Sequence, residues 1–106
     1  MRKLVIAGTC LLLASTNLAA EGSAAAGKEK SAVCAACHGA NGVAIAPTYP
    51  NLAGQNAEYM VAQLMAFKSG ERKGASSALM APMAMTLSDQ DMLDLAAFYN
   101  SLEPAK

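Results

Sequence analysis

The chain has 106 residues, with eight Lys/Arg balanced by eight Asp/Glu and a single histidine, so its formal charge is zero. That balance gives no reason to expect nucleic-acid binding, which would want a clustered basic face, and the length suits one domain. Much of the 54% hydrophobic content is alanine, and there are no tryptophans, two phenylalanines and three tyrosines. A core of side chains alone would therefore be thin, and a chain of this size needs a disulfide, a metal or a large cofactor as a staple.

The N-terminus reads as a secretory signal peptide over residues 1–20. Arg2 and Lys3 supply the positive start, Leu4 to Leu13 is an apolar run broken by Gly8 and Thr9, and small residues follow from Ala14 to Ala20. The run is too short to span a bilayer as a stable helix. Cleavage is expected after Ala20, with Ala25 or Ala26 as alternatives, and an uncleaved anchor is the competing reading. Residues 21–106 then form the mature domain. They keep six Lys/Arg against eight Asp/Glu, a net charge of −2. No later segment is long and apolar enough for a membrane span.

The elements that follow are predicted to be helical. A first helix is expected from about Ala24 to Ala36. A second runs from about Ala57 to Lys68, with Asn56 as N-cap and Met60, Leu64 and Phe67 on one apolar stripe. "KSGERKGASS" reads as an exposed loop. The last helix has Ser88 as N-cap and Asp91 at capping-box spacing, then Met92, Leu95, Tyr99 and Leu102 at helical intervals. Two connections, "GANGVAIAPTYPNLAGQ" and "GASSALMAPMAMT", are expected to be irregular. Loops of that length and apolarity need something other than water to pack against.

"CAACH" carries the chemistry. As a thiol–disulfide exchanger, Cys34 and Cys37 would follow a strand and open a helix, and here no strand precedes them. As structural zinc, the site would need four ligands, and the mature chain offers two cysteines and one histidine. Covalent haem attachment fits best. Two thiols at this spacing add to the two haem vinyl groups, and His38 then binds the iron. Export agrees, and a bulky apolar cofactor answers the shortage of core. His38 is the only histidine, so two histidines cannot ligate the iron. Methionine is the natural sixth ligand, and Met80, Met83, Met85 and Met92 are the candidates. Met92 is assigned to core packing, from its place on the last helix.

With "CAACHGANG", "APTYPNLAGQ", "MAPMAMTLSDQD" and "DLAAFY" in this order, residues 27–102 resemble a class I c-type cytochrome of the small bacterial kind, or one half of the dihaem relatives. The resemblance implies an all-α cytochrome c fold of three main helices and long loops wrapped around one covalent haem c. It implies Cys34 and Cys37 as attachment points and His38 as proximal ligand. The carbonyl of Pro50 is implied as acceptor of the histidine's other N–H, and Leu52 as a haem-pocket residue. Met80, seven residues before Leu87, is implied as the second axial ligand, with Met83 as second choice. Gly27 and Phe98 would mark the crossing of the first and last helices.

The expected function is periplasmic transfer of single electrons in a respiratory chain, with no catalytic residues. The partners would be an upstream donor and a terminal oxidase or reductase. Lys68, Arg72 and Lys73 form a short basic patch that either steers an acidic partner or is simply a solvated loop. Two alternatives stay open: a cytochrome subunit docked on a dehydrogenase, and an open-site haem sensor or minor peroxidase if no methionine binds iron.

Overall fold

The computed structural model describes residues 21–106, so the predicted signal peptide lies outside the described residues. Five helices follow in order: α1 Ala24–Lys30, α2 Ala32–His38, α3 Ala57–Ser69, α4 Ser77–Met85 and α5 Asp89–Asn100. No strand occurs among the described residues.

The first predicted helix is two. Ser31 adopts a backbone near ψ −2° and turns its hydroxyl onto the Lys28 carbonyl at 2.7 Å. Its N–H reaches the same carbonyl at 3.3 Å. This i, i−3 closure competes with regular helical bonding, so α1 stops and α2 restarts one residue later, running on to His38 rather than ending at Ala36.

α3 begins where expected, since Asn56 Oδ1 accepts the Tyr59 N–H at 2.8 Å. Gly70 closes it in the left-handed region. The Ser88–Asp91 capping box of α5 is complete: each side chain accepts the other residue's backbone N–H.

α4 corrects the prediction of an irregular loop before α5. Pro82 sits inside this helix. Its missing N–H leaves the Ala78 carbonyl without a helical partner, but Ala78 is exposed, so water can satisfy it. Alanine, leucine and methionine favour the helix, and Ala84, fully buried, anchors it to the core.

α1 lies along α5, and α3 packs on both α5 and α4. Gly27 is where α1 meets α5: a Cβ there would stand 2.0 Å from the Asp94 carbonyl oxygen and 2.7 Å from Phe98 Cβ. This is the crossing expected of Gly27 and Phe98, and only glycine permits it. The core beneath consists of Met60, Leu95, Ala96, Phe98 and Tyr99. Each fully buried large side chain stabilises by roughly 1.5–3 kcal/mol, which makes this a small core.

One charge is buried in that seam. Asp94 accepts from Lys30 Nζ at 2.6 Å, the Ser23 N–H at 2.8 Å and Gln90 Nε2 at 2.9 Å. The Lys30 ammonium, followed by the Ser23 and Gln90 donors, lowers its carboxyl to about 2. Lys30 also pairs with Asp91 at 2.8 Å, so a single lysine ties α1 to α5 twice.

Candidate functional site

The site is built outward from α2. Cys34 and Cys37, three residues apart, share a helix face, and both are free thiols of intermediate burial. Cys34 packs against the core cluster, and burial pushes its thiol up. A raised thiol does not suit disulfide exchange, which needs a thiolate. Among the described residues no three His, Cys, Asp or Glu side chains converge as metal ligands, so the zinc reading also fails.

His38 ends α2 and is only 6% exposed. Gly39 turns the chain at φ 84°, and a Cβ on it would fall 1.9 Å from the Val43 carbonyl oxygen. The loop over residues 39–55 then folds back under the imidazole. The Gly42 carbonyl accepts from Leu52 N–H at 2.7 Å and Ala53 N–H at 3.0 Å, and Ile45 N–H donates to the Cys37 carbonyl at 3.3 Å. Asn51 Oδ1 accepts the Ala44 N–H at 2.7 Å. Gly54 N–H donates to the Tyr99 carbonyl at 2.8 Å, fastening the loop to α5.

The outcome is a fixed acceptor for the histidine. His38 Nδ1 lies 2.8 Å from the Pro50 carbonyl oxygen. A carbonyl only accepts, so Nδ1 carries the proton, and Nε2 is left with a free lone pair to bind a metal. Leu52 is half-buried and packs on the core cluster.

α4 places its methionines in graded environments. Met80 is half-buried, Met83 is 48% exposed and Met85 60% exposed. Met80 and Met83 share a helix face at i, i+3. Met92 is fully buried in α5, as its stripe position predicted.

The basic residues after α3 are tied to their own chain. Lys68 Nζ donates to the Leu87 carbonyl at 2.5 Å. The Arg72 guanidinium stacks on Phe67 at 4.4 Å and donates to Gln63 Oε1 at 3.0 Å. Lys73 Nζ donates to the Gly70 carbonyl at 3.2 Å.

Two residues of this region were not singled out from sequence. Tyr99 was read only as part of a stripe, but it is fully buried in the core cluster against which Cys34 packs, with its hydroxyl unpartnered. Asp94 was overlooked, although an acid between Met92 and Leu95 on an apolar helix signals a buried ion pair.

These residues fit a large apolar metal cofactor. Paired free thiols share one helix face, an oriented imidazole offers a free Nε2, and large apolar side chains such as Val43, Ile45, Leu79 and Met83 lie exposed around a small core. Fold and site together define a small helical protein that holds such a group through two sulfurs and one imidazole. The chain belongs to the cytochrome c family, whose model, described as Cytochrome c, matches residues 19–103. Its cofactor is covalently bound haem c.

It is 52% identical over 82 residues to cytochrome c-554(548) of Halomonas halodenitrificans, covering 77% of this chain and 99% of that protein. The solved structure of reduced recombinant cytochrome c4 from Pseudomonas stutzeri aligns with a TM-score of 0.67 at 43% identity. That match covers 77% of this chain and 46% of the other, so this chain spans about half of cytochrome c4. Thiosulfate dehydrogenase from Marichromatium purpuratum aligns with a TM-score of 0.71 at 34% identity, over 77% of this chain and 20% of that one.

Proposed function

We propose that this chain, exported and freed of residues 1–20, carries single electrons between redox proteins in the periplasm, as part of a respiratory chain. The observation that supports this most directly is the His38 Nδ1–Pro50 bond, which leaves one imidazole nitrogen oriented for iron. Haem c, when bound, supplies an iron that takes up and releases one electron.

The protein's part is to hold and tune. Cys34 and Cys37 supply the two thioether anchors from one face of α2. Pro50 fixes the His38 ring and strengthens its donation. Met80 is the second axial ligand in this proposal. It is the half-buried methionine of α4, whereas Met83 and Met85 are exposed. A thioether there favours the reduced metal over a second imidazole. Leu52 packs at the pocket wall. His38 and Met80 would hold the iron from the protein in both redox states, so the chain would need to rearrange little on electron transfer. No residue is assigned as nucleophile, acid or base, so the chain is not read as an enzyme.

Its partners in this reading are an upstream donor and a terminal oxidase or reductase, met in small transient encounters. The mature charge of −2 and the tethered Lys68, Arg72 and Lys73 predict partner rates that depend weakly on salt. The match to thiosulfate dehydrogenase supports a second reading, a cytochrome docked on a dehydrogenase. Size-exclusion chromatography of the native protein separates a free carrier from a docked subunit.

The deciding experiment is the optical spectrum of protein secreted by a host competent in cytochrome maturation, before and after denaturation. Colour that stays with the unfolded chain and changes on reduction is expected. A colourless chain, or pigment extracted by denaturant, would overturn the proposal.

A further inference from the structure

The Tyr99 hydroxyl is the single buried side-chain polar atom, among the described residues, with no hydrogen-bond partner. Tyr99 is 1% exposed, so bulk solvent does not reach it. An orphaned buried hydroxyl is destabilising, and such a group calls for an explanation. Its ring is enclosed in the core, with Phe98 at 5.0 Å between centroids, and its backbone is fixed by the Gly54 N–H on the Tyr99 carbonyl.

The polar side chains within its reach are Cys34 and Ser31, on successive turns where α2 begins. Cys34 packs against the core cluster that contains Tyr99, yet the hydroxyl makes no hydrogen bond to its sulfur. Ser31 Oγ donates its proton to the Lys28 carbonyl and keeps lone pairs to accept, whereas Cys34 packs directly on that cluster. Burial keeps both Cys34 and Tyr99 uncharged by raising each above its ordinary value.

We propose that the Tyr99 hydroxyl donates a hydrogen bond to the Cys34 sulfur once that sulfur is a thioether, which makes Tyr99 a positioning residue for this linkage. The inference rests on the covalent attachment read above. In attachment Cys34 adds its sulfur to one carbon of a carbon–carbon double bond and its hydrogen to the other, so no oxidant is consumed. The sulfur then has no proton and can only accept. Tyr99, fixed to α5, becomes the donor that orients it and joins α5 to α2 through the cofactor's anchor.

The test compares coloured holoprotein with its Tyr99→Phe variant, which keeps the ring and loses the donor. The folded-to-unfolded ratio is expected to fall about threefold to tenfold by denaturant titration, and the reduction potential to fall as well. A packing role leaves the potential unchanged. Equal or higher stability in Tyr99→Phe would overturn the proposal, because removing a true orphan relieves a penalty. In a Cys34→Ala background, which retains the Cys37 linkage, the effect of Tyr99→Phe should vanish. If it persists there undiminished, Ser31 is the acceptor and the proposal fails. Should Cys34→Ala yield too little coloured protein, the sign of the single-variant effect decides. Failure of attachment itself is seen separately, as loss of colour in the parent.

Discussion

The Pro50 carbonyl oxygen stands 2.8 Å from Nδ1 of His38, twelve residues earlier in the chain. The intervening loop is closed by the Gly42 carbonyl and Asn51 side chain and fastened to α5 through Gly54, so the acceptor is held in place. Loosening it should weaken the imidazole's donation to iron. Pro50→Gly keeps a carbonyl but frees the backbone. The oxidised metal loses support, and the reduction potential should rise, by at most about 40 mV if roughly 1 kcal/mol of bond is lost. Voltammetry of the variant checks this, and an unchanged potential would show that the bond does not tune the iron.

Met80 and Met83 are separable by spectroscopy. Met80→Ala should abolish the red-region band of an oxidised iron bound to thioether sulfur, and the reduced protein should then bind carbon monoxide. Met83→Ala should keep the band and resist carbon monoxide. The reverse pattern would move the axial assignment to Met83. Neither variant losing the band would point to a sulfur outside this pair.

Gly27→Ala should destabilise the fold by about 3 kcal/mol, because the new methyl would enter the Asp94 carbonyl and Phe98 at the crossing of α1 and α5. The measurement is the denaturant midpoint of the coloured protein. A shift no larger than that of an exposed substitution such as Ala25→Ser would show that α1 moves aside freely.

Asp94 sets an acid limit. Its folded carboxyl is lowered from 3.8 to about 2, so its ionised form stabilises the fold fully above the unfolded value. That contribution is lost as the pH falls from about 4 through about 2. Asp94→Asn should therefore melt earlier than the parent at neutral pH, with the gap closing by about pH 2. A gap that stays constant across that window would assign the effect to packing, not charge.

Much of this protein is legible in the order of its residues. "CAACH" pointed to the attachment proposed for Cys34, Cys37 and His38 because such an attachment calls for two thiols and an imidazole at fixed spacing, a local requirement. The capping box of α5 and the Asn56 cap of α3 were readable for the same reason: each is an interaction across three residues. Sequence reading misplaced what depends on distant context. Pro82 argued for a loop, yet burial of Ala84 and solvation of Ala78 let α4 form around it. Ser31 broke the first helix through a hydroxyl whose rotamer no periodicity reports. The Lys30–Asp94 pair and the Ser23–Asp94 bond join residues more than sixty apart. Local spacing decides which groups can react; only packing of α1 and α2 against α5 decides which are buried together, because burial is a property of the assembled surface.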